Sequence, residues 1–257
     1  MRVCYVFLSL LGFIAGCASL VPHDVQSQLA PTGTLRVGLN LSTTLLAARD
    51  PKNGEMRGVA IDIAHELGYR VRVPVHFVGY ATGQLEQKIG AEEWDVAFFA
   101  IEPARAEKVS FSPPYAEIET TYPVRNDSAM LHARDVDREG VTVAVSRGAG
   151  FESALASLLK LAKLLRTGGF AESIKHLNDK KVDAVSGLKP QLSAYAKAQP
   201  GIRVVDGKFG SVEQAIGIQK GRGAADNYLR SFIVELKESG FVARSIDSNK
   251  ASGLTIP

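Results

Sequence analysis

The chain reads as an α/β protein of two lobes, the second inserted into the first. Three observations predict this. Short apolar runs of strand length alternate with amphipathic stretches at helical spacing, the pattern of parallel sheets covered by helices on both faces. The alternation lapses around Pro123 and restarts at Val141. Extended segments at about 121–125 and 213–219 then serve as two hinge strands, one leaving the first unit and one returning to it. A chain of 257 residues is long enough to bury a core in each lobe. The expected boundaries are a leader at 1–16, a tether at 17–33, a first lobe at 34–122 and 219–257, and a second lobe at 123–218.

The leader follows from Met1-Arg2 and the apolar run Val3 to Ile14, which is short of the ~20 residues a membrane-spanning helix needs. Ile14-Ala15-Gly16-Cys17 has the small-residue-then-cysteine form of a bacterial lipoprotein cleavage site, so Cys17 is the expected lipid-bearing N-terminus. Ordinary secretion with cleavage after Ala18 is the alternative. Both routes remove Cys4, both carry the chain out of the cytoplasm, and neither leaves a pair of cysteines for a disulfide. The expected location is the periplasm or cell envelope, with attachment to a membrane through the anchor.

Thr34 to Asn40 alternates as a first strand, and Asp50-Pro-Lys-Asn-Gly54 marks a hairpin turn. Val59, Ile63 and Leu67 recur every four residues, predicting a helix over about 59–69. A strand at Val75 to Val78, a helix around Leu85 to Ile89 and a buried strand at Val96 to Ala100 complete the first unit. In the second unit, strands are predicted at Val141–Val145, Leu161–Arg166, Val182–Val185 and Ile202–Val205. Helices are predicted at about Phe151–Lys160, Ala171–Asp179 and Pro190–Ala198. Gln214 to Ile218 returns the chain, and Asp226 to Ser239 is a long helix with Leu229, Phe232, Ile233 and Leu236 on one face.

The candidate site lies where strand Val96–Ala100 breaks at Glu102-Pro103 and restarts as a short helix carrying Arg105. Ligands of open α/β sheets bind beyond the carboxyl ends of the strands. A guanidinium there can hold a carboxylate through paired bonds of about 1.5–3 kcal/mol each. The plain alternative is a surface arginine paired with Glu102 or Glu107. Gly148-Ala149-Gly150 opens the second unit's first helix, where backbone N–H groups can receive an anion; a turn needing glycine only for its backbone angles is the competing reading. An apolar wall is expected from Leu41, Leu45, Phe99 or Tyr115, with Tyr115 as a rim contact. Trp94 reads as packing beneath the sheet, and Asp62 as a solvated or capping carboxylate.

Five motifs in order resemble the bacterial extracellular solute-binding proteins of family 3, the amino-acid and opine receptors of ABC transporters. They are Gly33-Thr-Leu-Arg-Val-Gly-Leu39, Gly58-Val-Ala-Ile-Asp-Ile63, Lys108-Val-Ser-Phe-Ser-Pro-Pro-Tyr115, Val182-Asp-Ala-Val185 and Ala215-Ile-Gly-Ile218. The resemblance runs from about 33 to 245 and implies a two-lobed periplasmic-binding-protein-like fold of type II. It also implies a small carboxylate ligand held between the lobes by Arg105, Glu102, Ala100, Gly148, Ala149, Gly150, Leu188 and Tyr115, and an inner-membrane ABC permease as partner. A monomer without cofactor or metal is expected.

The sequence also departs from that family's pattern. Where amino-acid binders usually carry an aspartate for the ligand ammonium, this chain has Leu188; where they usually offer a Ser or Thr a few residues before the arginine, Glu102 stands three residues before it. Either Glu102 takes over the ammonium, or the ligand has none.

Lys+Arg 30 against Asp+Glu 27 gives a net charge of +3, with no basic run that would suit nucleic acid. The five histidines show no metal-ligand spacing, and phosphate-loop and nucleophile-elbow motifs are missing. Two other roles stay open on the same scaffold. One is a cyclohexadienyl dehydratase acting on prephenate or arogenate, with Glu102 as proton donor and Arg105 as carboxylate clamp. The other is a sensing subunit of a signalling receptor.

Overall fold

The computed structural model describes residues 21–81 and 83–257. The expected leader at 1–16 and the expected lipidation site Cys17 lie outside the described residues.

The first lobe is built on a mixed sheet with Val96–Ala100 near its centre. That strand is buried along its whole length, as a strand covered on both faces must be. Leu35–Asn40 runs parallel to it on one side and to Val75–Tyr80 beyond. On the other side Gly210–Gln219 pairs antiparallel, followed by Ala116–Thr121. Helix Val59–Val71 presents Val59, Ile63, Leu67 and Val71 to this sheet's core at the spacing that predicted it. Gly223–Glu238 buries Leu229, Phe232, Ile233 and Leu236 in the same core.

The second lobe has its own five-stranded sheet, in the order Lys163–Thr167, Thr142–Ser146, Ala184–Val185, Pro123–Arg125, Ile202–Val204. The last strand lies at the edge. Its helices are Glu152–Leu158, Phe170–Asn178 and Lys189–Ala198.

Three features differ from the expected organisation. The return crossing lies earlier than 213–219. Gly210–Gln219 belongs wholly to the first-lobe sheet, with Val212 opposite Ile118 and Gln214 opposite Ala100, so that lobe resumes at about 210. Its apolar half is buried because strands flank it on both sides, not because it spans a gap. The stretch read as a tether contains the helix His23–Leu29, whose Val25 and Leu29 are buried in the first-lobe core. Only two apolar positions anchor it, too few to show as periodicity. After the long helix, Phe241–Ser248 forms a further helix pinned by Asp62, which accepts from Ser245 Oγ at 2.5 Å and Asn249 Nδ2 at 2.7 Å. Asp62, half-buried, therefore ties two helices together.

Candidate functional site

A cleft of about 480 Å³ opens between the lobes, at the carboxyl ends of the first-lobe strands. The first lobe lines it with Leu39, Leu46, Phe98, Phe99 and Ala100, the second with Gly148, Ala149, Gly150, Phe151, Phe170 and Leu188. Of the expected apolar wall, Phe99 is present, whereas Leu41 and Leu45 are replaced by Leu39 and Leu46. Among the described lining residues the charged side chains are Glu86 and Arg105.

Arg105 reaches the cleft because Pro103 occupies the first turn of helix Pro103–Ala106, after Glu102 in extended conformation. The turn folds the arginine back over the strand it has just left. Its guanidinium is buried, lies 5.8 Å from the Phe99 ring centre, and is held on every side by the chain itself. Nε donates to Glu86 Oε1, Nη1 to the Ala100 carbonyl at 2.8 Å, and Nη2 to the Gly148 carbonyl at 3.2 Å. Glu102 Oε2 is 3.4 Å from Nη2. Arg105 thus lines the cleft between the lobes, but its fork is engaged by two carboxylates and two carbonyls. The group carries one positive and two negative charges.

Glu102 does not line the cleft. Its other oxygen accepts from the Ser153 N–H of the second lobe at 3.4 Å. It therefore lies behind Arg105, joining the lobes, and is not presented to a ligand ammonium. Glu86, nineteen residues before Arg105, faces the cleft with its side chain 26% exposed. It had no signal of its own in the sequence: the short helix Gln84–Gln87 has a single buried residue, Leu85. The one usable clue was an acid shortly after the second parallel strand, at the same strand-end crevice that points to Arg105.

Gly148, Ala149 and Gly150 line the second-lobe wall, where backbone meets backbone across the gap. Gly148 has φ +74°, and a Cβ there would lie 2.7 Å from Gly83 Cα. A Cβ on Gly150 would lie 2.2 Å from the Cβ of Ala100. Glycine is thus required for close approach of the lobes, not only for a turn. The N–H of Gly148 is taken by Glu152 Oε2 at 2.7 Å, while Glu152 Oε1 receives Arg166 Nε at 2.6 Å. Further along the wall, at an exposed position, the Gly168 N–H donates to Glu172 Oε2 at 2.6 Å.

Leu188 lines the cleft from the two-residue strand Gly187–Leu188, which pairs with Thr120 and Thr121 of the first lobe. Tyr115 does not line the cleft. It is fully buried in the first-lobe core, 5.6 Å from Phe98 in edge-to-face contact, and burial pushes its hydroxyl well above the usual tyrosine range. The strand Ala116–Thr121 that follows turns it inward, which removes the expected rim contact. Trp94 is fully buried against Phe99, as expected. Among the described residues, no group of three or more His, Cys, Asp or Glu is placed to hold a metal ion.

Two α/β lobes with a lined gap between them define a protein that takes a small molecule into an interlobe cleft. The chain belongs to the bacterial extracellular solute-binding proteins, family 3, whose model matches residues 35–248. It is 24% identical to a glutamine-binding protein of Geobacillus stearothermophilus over 81% of this chain and 80% of that one. An ancestral amino acid-binding protein, a precursor of cyclohexadienyl dehydratase, superposes with a TM-score of 0.72 at 27% identity, covering 87% of this chain and 97% of that one. A Streptococcus pneumoniae amino acid ABC transporter substrate-binding protein bound to L-arginine has the same fold, with a TM-score of 0.73, 20% identity and coverage of 88% and 98%.

Proposed function

We propose that the chain is an extracytoplasmic receptor that captures a small amino-bearing solute, an amino acid or a related compound, and delivers it to an ABC permease. The observation that carries the ligand class is Glu86. It is a partly exposed carboxylate on the cleft wall, in a cluster where negative charge exceeds positive by one. An ammonium entering the cleft balances that excess, and the closing lobes strengthen the attraction by excluding water. Closure is driven only by contacts that differ between open and closed forms, and the solute supplies them. The relatives named above support delivery to a permease. Export by the leader and anchoring through Cys17, with the chain acting as a monomer, complete the reading.

A thermal-shift screen of amino acids, amines and organic acids tests the receptor, because a bound ligand raises apparent stability by mass action. Stabilisation by amino-bearing compounds is expected; stabilisation by plain organic acids alone contradicts it. Radiolabelled lipid incorporation that disappears in Cys17→Ala tests the anchor. The dehydratase reading with Glu102 as proton donor needs that acid to face the substrate, whereas Glu102 points away from the cleft into Arg105 and Ser153. Turnover of prephenate by the purified protein would replace the receptor reading with that one.

A further inference from the structure

Gln214 lines the cleft and is only 6% exposed, yet its side-chain amide makes no hydrogen bond with any described residue. The strands on either side fix its place. It stands opposite Ala100 in one and Ala116 in the other, and its carbonyl accepts from the Tyr115 N–H at 2.8 Å. Opposite residues of an antiparallel pair share a face, as do residues two apart. Gln214 therefore shares the face of Ala100, Phe98 and Val212, all of which line the cleft. Its neighbours on that face are apolar. The charged pair Glu86 and Arg105 sits beside Phe99, whose side chain takes the other face of the strand.

A primary amide carries two N–H donors and a carbonyl acceptor. Burying it without a partner is costly, and an apolar side chain of similar volume would avoid the cost. A solute that supplies the missing partner removes it. An ionic group brought to this apolar face would lose its water without meeting a counter-charge, whereas a neutral donor or acceptor loses less and satisfies the amide. We infer that Gln214 contacts the solute and determines specificity: its amide receives a neutral hydrogen-bonding group, an amide or a hydroxyl, carried by the solute apart from its amine. This rests on the receptor reading and narrows it to amino-bearing solutes that are polar but uncharged at that second position.

Solutes matched in size test the assignment: glutamine against methionine, asparagine against leucine and threonine against valine, with glutamate and aspartate as charged counterparts. Each is titrated by calorimetry into the parent and into Gln214→Met, which keeps the length of the side chain and removes its hydrogen bonding. In the set that binds best, the parent is expected to favour the neutral polar member over the apolar and charged ones by about tenfold or more. Gln214→Met is expected to cut the advantage over the apolar member to about twofold or less, with affinity for that apolar member unchanged. The unfolding midpoint of the ligand-free variant should not fall, because the side chain gives up no bond within the chain. A preference kept by the variant overturns the assignment, as does a parent that favours solutes lacking such a group. An equal loss of affinity for every solute also overturns it, since that marks a residue serving lobe closure. Each of these results leaves the receptor reading standing; if no amino-bearing solute binds the parent, both fall.

Discussion

The two ends of strand Val96–Ala100 carry opposite versions of one device. Just before its start, Asp95 is fully buried and accepts from Arg36 through its backbone N–H at 2.9 Å, Nε at 3.0 Å and Nη2 at 2.7 Å. A second guanidinium, Arg222, lies 3.8 Å away. Just past the strand's other end, Arg105 meets two carboxylates, Glu86 and Glu102. One end has a carboxylate between two guanidinia and excess positive charge; the other has a guanidinium between two carboxylates and excess negative charge. Its hydrogen bonds to Asp95 hold the Arg36 guanidinium protonated more firmly than usual, while burial works against it. At the Asp95 end the carboxylate itself is enclosed, and its bonds to Arg36 tie the first strand to this one. The Arg105 end faces a cleft, so its excess charge is available to a ligand.

Asp95→Ala separates the two ends most strongly. It leaves Arg36 and Arg222 without their shared counter-ion, so stability should fall by about 3 kcal/mol. Urea unfolding followed by circular dichroism measures this, and solute affinity of the folded fraction should be unchanged. A loss of affinity with little loss of stability would show that the ends are not separate.

Gly150→Ala acts on the cleft end alone. The added methyl meets Ala100 across the gap at 2.2 Å, so each lobe should fold normally but closure should cost about 1–3 kcal/mol. Weaker binding, together with a radius of gyration that no longer contracts on adding solute, is the expected result from calorimetry and small-angle X-ray scattering. Unchanged binding would mean that the lobes do not close along this wall.

A smaller effect sharpens the contrast between carboxylates held by cations and those held by backbone. Asp137 in the second lobe accepts from the N–H groups of Lys160, Leu161 and Ala162. The Ala162 bond chiefly, helped by the other two and opposed by desolvation, holds its carboxyl below the ordinary 3.8. Because the folded value is the lower one, its contribution is present above the unfolded value and is lost as pH falls through the folded value. Asp137→Asn should therefore be less stable than the parent at pH 7, and the gap should narrow below pH 3.8. Unfolding midpoints across that range check the sign.

Most of the fold was legible because periodicity is a property of neighbours in the chain. Val59, Ile63 and Leu67 announce a helix, and Val96 to Ala100 announces a doubly covered strand. The return crossing was misplaced because burial in mid-sheet and passage through a hinge leave the same apolar run at Gln214–Ile218. At the site, Arg105, Ala100, Gly148, Ala149, Gly150 and Leu188 line the cleft because the ends of strands in such sheets converge there. Glu86 escaped notice because its partner is far along the chain. Tyr115 was misjudged because sequence does not say which face of a turn an aromatic takes.

Calorimetric titration of the parent and of Glu86→Gln, with whichever amino-bearing solute stabilises the parent most, tests the acidic cleft most directly. One solute should bind per parent chain. The variant should lose about 2 kcal/mol of affinity, roughly thirtyfold, with its unfolding midpoint nearly unchanged. Equal affinity in the two proteins would contradict the account, because the carboxylate on which it rests would then make no contact with the solute.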